Sequence, residues 1–317
     1  MRLINLVPTG TTIDFVKYRK IAGIVSLVMC LVSVGLFAGK GLNYGIDFRG
    51  GILIEIRTEG PADIAGLRNT LGGLGLGEVQ LQAFGKDTDV LIRIERQAGD
   101  EKAQLAAVEA AKKALGDQVQ YRRTEFVGPK VGGELIEAGI MAVLFAMAAM
   151  LVYIWFRFEW QFGVGAVIAL THDVLLTIGI FALLGLEFNL STVAAILTIA
   201  GYSINDTVVV FDRVRENLRK YKQMPLDELL NQSINSTLSR TLLTSLTTLI
   251  ALIALFFFGG EVIRGFSFAM IWGVVVGTYS SIFIAVPLLV YMSLRRTGLM
   301  LGGDEDEDGA GAETPVA

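Results

Sequence analysis

Six long apolar runs divide the chain, at 21–39, 135–156, 162–184, 188–211, 241–258 and 266–294. Each approaches or exceeds the roughly 20 residues an α-helix needs to cross a bilayer, so the pattern predicts six transmembrane helices. The first run follows Lys17, Arg19 and Lys20, as a signal peptide's apolar region would. It is too long for that, lacks a clear small-x-small cleavage site and precedes five further spans, so it reads as an uncleaved anchor.

A different pattern fills residues 40–131. ILIEIRT (52–58) alternates apolar and polar positions as a strand does, and PADIAGLRNTLGGL (61–74) opens with proline and closes on glycines as a helix does. EVQLQAF (78–84) and DVLIRIER (89–96) alternate around GKDT like a hairpin. DEKAQLAAVEAAKKALG (100–116) has helical periodicity, and YRRTEFVG (121–128) is a last strand. The order βαββαβ is the ferredoxin-like split βαβ arrangement. That fold serves many functions and specifies none.

Charge orients the spans. Lys17, Arg19 and Lys20 precede the first, Arg157 separates the second and third, Arg213, Arg215, Arg219, Lys220 and Lys222 follow the fourth, and Arg295 and Arg296 follow the sixth. The loops on the other side carry only Glu187 and then Glu261 with Arg264. The positive-inside rule puts both termini in the cytoplasm. The expected fold class is therefore an α-helical membrane protein of six spans, with an α+β ferredoxin-like periplasmic domain between the first two. Its parts are a cytoplasmic N-terminus (1–20), helix 1 (21–39), the periplasmic domain (40–131), helices 2–6 (132–296) with a cytoplasmic amphipathic segment (212–240), and an acidic tail (297–317). Leu226, Leu229, Leu230, Ile234 and Leu238 give that segment helical spacing, which suits a helix lying on the inner membrane face or a connecting helix packed under the bundle.

Composition removes several chemistries. The chain is 53% hydrophobic with a net charge of −4, so no basic face accumulates for nucleic acid. Much of the acidic balance comes from the tail GGDEDEDGAGAETPVA, too polar to bury and predicted to be disordered. One cysteine, Cys30, and one histidine give no metal-ligand spacing and no internal disulfide. No metal or cofactor is expected, and the outer domain has neither His nor a phosphate-cradling loop to suggest an enzyme.

The candidate chemistry is the charge inside the apolar runs. Asp206 lies in AILTIAGYSINDTVVVFDRVREN (195–217), about five residues from the inner end of its span, with Asn205 beside it. A charge at that depth costs roughly 2.5–3.5 kcal/mol on insertion scales and is read as functional by default. Arg240 begins the fifth span at similar depth and is followed by Thr241, Thr244, Ser245, Thr247 and Thr248, a polar seam between helices. His172 and Asp173 sit near the centre of the third span. Each has a plainer reading: Arg240 as a snorkelling topology signal, His172 and Asp173 as hydrogen bonds between helices. Loading a proton on Asp206 would weaken pairing with Arg240 and favour another helix packing. Moving one charge through the membrane potential supplies about 2.3 kcal/mol per 100 mV.

GLNYGIDFRGG (41–51), ALTHDV (169–174), GYSINDTVVVFDRVREN (201–217) and SRTLLTSLTT (239–248), in this order and spacing, resemble the SecF family of bacterial membrane proteins. The resemblance covers residues 10–296. It implies a subunit that works with SecD beside the SecYEG channel and uses the proton motive force to promote late translocation of preproteins across the inner membrane. It implies kinship with resistance-nodulation-division transporters, roles in proton movement for Asp206 and Arg240, and a hinge at Asp47, Arg49, Gly50 and Gly51, where the glycines alone would indicate only a turn. His172, Asp173, Asn205 and Thr244 are candidates for the proton path or for packing. The implied partners are SecD, SecYEG, YajC, a translocating preprotein and membrane lipids, with no cofactor. Two other readings compete. Half of a proton-driven small-molecule or lipid exporter is disfavoured by the small outer domain and the full motif set. An intramembrane aspartyl protease needs two facing carboxylates, and Asp173 and Asp206 lack the usual GxGD context.

Overall fold

The structure, a computed structural model, describes residues 11–127, 129–260 and 263–292. The acidic tail, Glu261, Arg295 and Arg296 lie outside the described residues. Helix α1 (Arg19–Lys40) leads through strand β1 (Asn43–Tyr44) and the single turn α2 (Ile46–Arg49) into β2 (Gly51–Thr58), α3 (Ile64–Gly72), β3 (Val79–Phe84), β4 (Lys86–Ile94), α4 (Glu101–Leu115) and β5 (Val119–Val127). Then follow α5 (Pro129–Arg157), α6 (Trp160–Leu184), β6 (Glu187–Phe188), α7 (Leu190–Lys220), α8 (Leu226–Phe258) and α9 (Arg264–Ser280), which continues to Met292.

The sheet order is β3-β4-β2-β5, with every neighbouring pair antiparallel. Alternation in β2 and β4 sends Ile52, Ile54, Ile56, Val90, Ile92 and Ile94 to one face, where they bury against Leu71 of α3 and Ala107, Val108 and Ala111 of α4. Each fully buried isoleucine contributes about 1.5–3 kcal/mol. Helix α3 starts at Ile64, after Pro61, because the Asp63 carboxylate accepts from the Gly66 amide and supplies the N-cap. Strand β4 begins at Lys86, since the chain reverses at Gly85, whose φ is +76°.

Among the described residues, six helices are long and apolar enough to cross a membrane. Half or more of the apolar stretches of α6, α7 and α9 is buried, but little of α1 and α8 and none of α5. The three inner helices therefore carry the buried carboxylates of the bundle.

The reading of 212–240 as a separate amphipathic segment is corrected. Residues 212–220 finish α7, and 226–240 are the first half of α8, continuous with the span itself. No glycine or proline interrupts the helical pattern after Pro225, which stands at the N-cap. Leu229, Leu230 and Ile234 are fully buried at the end of the bundle where α7 finishes, beside Val214 and Leu218 of α7.

Candidate functional site

Helices α7 and α9 cross closely because α9 presents small residues there. A Cβ on Gly273 would lie 2.2 Å from Ile199 Cγ1, and one on Gly277 would lie 3.2 Å from Ser203 Cβ. Positions 273, 277 and 281 recur every four residues, the spacing of small-residue seams in membrane helices. At Ser281–Ala285 the helix widens into a π turn, a feature common at functional sites. Consecutive Ser280 and Ser281 are both fully buried there.

Each of these serines holds a different carboxylate. Ser281 Oγ donates to Asp206 Oδ2 at 2.5 Å, and Thr241 Oγ1 of α8 donates to Asp206 Oδ1 at 2.7 Å. Ser280 Oγ donates to Asp173 Oδ2 at 2.8 Å, and Ser203 Oγ of α7 donates to the same oxygen at 2.6 Å. The other oxygen of Asp173 lies 2.9 Å from His172 Nδ1. Asp173 is fully buried and Asp206 is 7% exposed. Unpaired carboxylates at such positions would be prohibitive. Here both are satisfied, chiefly by neutral hydroxyls from neighbouring helices. Ser245 extends the seam, 2.7 Å from Thr278 Oγ1 and 3.3 Å from the Tyr202 hydroxyl.

The expected pairing of Asp206 with Arg240 is not what the structure has. No ion pair joins them among the described residues, and Arg240 is exposed on the outer side of α8. Its charge acts on Asp206 only through space. Thr241 takes the inward position because consecutive helical residues point about 100° apart. Thr244 is exposed too, with its hydroxyl on the Arg240 and Thr241 carbonyls. Asn205 is exposed one position before Asp206. Arg240, Thr244 and Thr247 form an exposed polar stripe on α8, while Ala194, Thr198, Gly201 and Asn205 form an exposed small or polar stripe on α7.

The GIDFRGG segment packs on the N-terminal end of α7. Strand β1 pairs in parallel with β6 in the α6–α7 connection, and a Cβ on Gly45 would lie 2.6 Å from Glu187 Oε1. The Asp47 carboxylate accepts from the Leu190 amide at 2.9 Å, at the first turn of α7, where negative charge is favoured. Asn189 and Thr192 complete a capping box at the same end. Gly50 and Gly51 have φ of +72° and +115°, and a side chain on Gly51 would meet the Ile94 carbonyl, so glycine is required there. Arg49 is exposed. A largely buried ion pair from Arg93 of β4 to Glu187 adds a second tie between the sheet and the helical bundle.

Sequence reasoning passed over Ser203, Ser280, Ser281 and the Arg93–Glu187 pair. The doublet in TYSSIF was the available signal for two of them: adjacent serines inside an apolar span.

Comparison with known proteins places the chain in a family. Residues 107–295 match the family model described as protein export membrane protein SecD/SecF, C-terminal, and residues 35–62 match the SecD/SecF GG motif. A protein translocase subunit SecF of Rickettsia bellii is 47% identical over 297 residues, which cover 92% of this chain and 97% of that protein. The subunit of the same name from Cereibacter sphaeroides is 46% identical over 319 residues, covering 98% and 97%. The crystal structure of SecDF from Thermus thermophilus, described as a translocon-associated membrane protein, superposes with a TM-score of 0.81 at 38% identity. It covers 89% of this chain, which spans only 39% of that longer one.

Proposed function

The chain belongs to the SecD/SecF family of protein-export membrane proteins, on its SecF side, and from that premise we propose that it works with SecD to couple proton movement to the late translocation of preproteins across the inner membrane. Asp206 is the proton carrier in this reading. The observation that carries it is a buried carboxylate at the meeting of α7, α8 and α9, held by one hydroxyl from each of two helices. A proton gained or lost there changes the charge at a three-helix junction.

SecD packs against the exposed stripes of α7 and α8. An exposed Arg240 and a run of threonines within apolar spans are poorly suited to lipid and well suited to a partner helix bearing a carboxylate. Both termini are cytoplasmic. The βαββαβ unit is periplasmic and ferredoxin-like, a reading supported by its strand order. It moves about the GIDFRGG turn, where Asp47 meets the first turn of α7. The SecYEG channel, YajC, the emerging preprotein and lipid are the other partners, and no covalent catalysis is involved.

The test is export of a secretory precursor into inverted membrane vesicles, with and without a proton gradient. Asp206→Asn should assemble normally with SecD and reduce export to the level seen without the gradient. Full gradient-dependent export by that variant would sink the coupling role.

A further inference from the structure

His172 has one ring nitrogen on Asp173 and the other, Nε2, buried with no hydrogen-bond partner. An orphaned nitrogen at the centre of a span is costly unless it has work to do. His172 also lines a groove of about 640 Å³ between α1, α6 and the end of α9. On α1 the groove runs from Lys20, through Gly23 and Leu27, to Cys30. Ten residues at ~1.5 Å each make about 15 Å, the depth of one leaflet. Arg19 and Lys20 stand at its mouth, at the same membrane side as Arg157 and Arg213, and His172 lies near its deep end.

We infer that His172 is a proton port: it passes protons between Asp173 and the cytosol through this groove, on the side of the bundle away from Arg240. The inference rests on the coupling role proposed for Asp206. Ser280, the last residue of α9, and Ser281, the first of the π turn, link the two carboxylates through consecutive residues, and Ser203 and Asp206 are one turn apart on α7. For release, the protonated Asp173 gives its proton from Oδ1 to Nδ1 as Nε2–H gives one to water in the groove. One proton enters the ring and one leaves, Asp173 ends as the anion, and Nδ1–H donates to it. Nε2 is shielded in this conformation, so the port is shut, and parting α1 from α6 by the width of a water molecule opens it. The ionisable side chains that face His172 or its groove are Asp173 on its own helix, Cys30 on α1, Tyr279 on α9 and Tyr291 beyond the π turn. Tyr279 is engaged with Ser26 and the Ala22 carbonyl. The charges at the mouth are Lys20 and Arg19, the latter paired with Asp227.

The experiment measures proton flux with a trapped pH dye, using this chain in complex with SecD in phospholipid vesicles. His172→Ala should lower flux by about tenfold or more, as expected for loss of a positioned proton-transfer group. Free imidazole added on the groove side should restore it. His172→Gln, which keeps a hydrogen-bonding side chain, should be equally slow and not rescued. Gly23→Leu should slow flux with His172 intact: the Cβ position there meets nothing within 4 Å, so the added side chain starts from open space and narrows the groove. Wild-type flux in His172→Gln, or failure of imidazole to rescue His172→Ala, overturns the port. Asp206→Asn separates the two claims. If its flux equals wild type, the coupling role itself is wrong, whereas Asp206-dependent flux that ignores His172 overturns only the port.

Discussion

Gly273→Ala touches no polar group, yet it should disable the site. The added methyl would lie 2.2 Å from Ile199 Cγ1 and 2.4 Å from Cδ1. Carbon contacts settle at about 3.5–4.0 Å, so the α7–α9 crossing must open by roughly 1.5 Å. Ile199 cannot yield cheaply, because a β-branched side chain in a helix is nearly fixed at χ1. Ser281 is eight residues along α9, about 12 Å away, close enough to be carried with a stiff helix. Moved by the same ~1.5 Å, its hydroxyl would stand about 4 Å from Asp206, outside the ~2.5–3.0 Å range of such a bond. Overpacking of this kind costs about 1–3 kcal/mol. The assay pairs thermal unfolding of the purified protein with gradient-dependent export. Gly273→Ala should lower both. Ile199→Ala removes all three atoms nearest the new methyl, so the double variant should be more stable than the sum of the singles by about 1 kcal/mol or more. Strictly additive stabilities, or full export by Gly273→Ala, would refute the close crossing as what holds Ser281 on Asp206.

Two further outcomes test other parts of the molecule. On the sheet face turned away from α3 and α4, Arg57 donates two hydrogen bonds to Asp89, at 2.6 and 2.7 Å, and holds that carboxyl below its usual range. A depressed carboxyl adds stability above its unfolded value of about 3.9 and loses it as pH falls through the folded one. Asp89→Asn should therefore destabilise the outer unit by about 1 kcal/mol at neutral pH, a figure reduced for the one-third exposure of Arg57. Hydrogen exchange over 51–127 in the full chain should show that gap closing below about pH 4; a gap constant with pH would rule the ion pair out as its source. Gly201, on the exposed stripe of α7, has open space where a side chain would go. Gly201→Leu should leave thermal stability within about 0.5 kcal/mol of wild type and weaken co-purification with SecD, and undiminished co-purification would remove α7 from the partner face.

The strands were legible because alternation in ILIEIRT and DVLIRIER sorts the side chains between two faces: one packs isoleucine and valine on α3 and α4, and the other carries Glu55, Arg57 and Asp89 beside a smaller apolar cluster of Leu53 and Leu91. Asp206, His172 and Asp173 stood out as polar groups among apolar ones. Their partners did not. A serine inside a span reads equally well as a small packing residue, and nothing in a 3.6-residue period marks where a helix widens into a π turn. Counting residues gave Arg240 the right depth and said nothing of its azimuth. One step along α8 turns a side chain through about 100°, enough to put Thr241 on Asp206 and Arg240 on the surface. The boundary drawn at 240 is not an end of a helix for a related reason: a change from amphipathic to wholly apolar composition alters what a helix packs against, not whether it continues.

The replacement of an arginine by hydroxyls at Asp206 changes what drives the proposed motion. A guanidinium only donates, so a buried ion pair loses its partner's charge on protonation and leaves donors unsatisfied. A hydroxyl both donates and accepts. Ser281 Oγ is 3.1 Å from the Thr278 carbonyl as well as 2.5 Å from Asp206, and Ser280 Oγ is 3.2 Å from the Gly277 carbonyl as well as 2.8 Å from Asp173. When either acid takes a proton on the oxygen facing its serine, it can donate to the hydroxyl, which turns to the carbonyl already beside it. No buried hydrogen bond is lost in either state. The helix seam is thus compatible with both protonation states, and the force must come from the charge itself: its attraction to Arg240 across the surface of α8 and to the membrane potential. On this reasoning, replacing Ser281 with alanine damages the seam in one protonation state more than in the other, while replacing Arg240 with glutamine spares the seam and removes the pull.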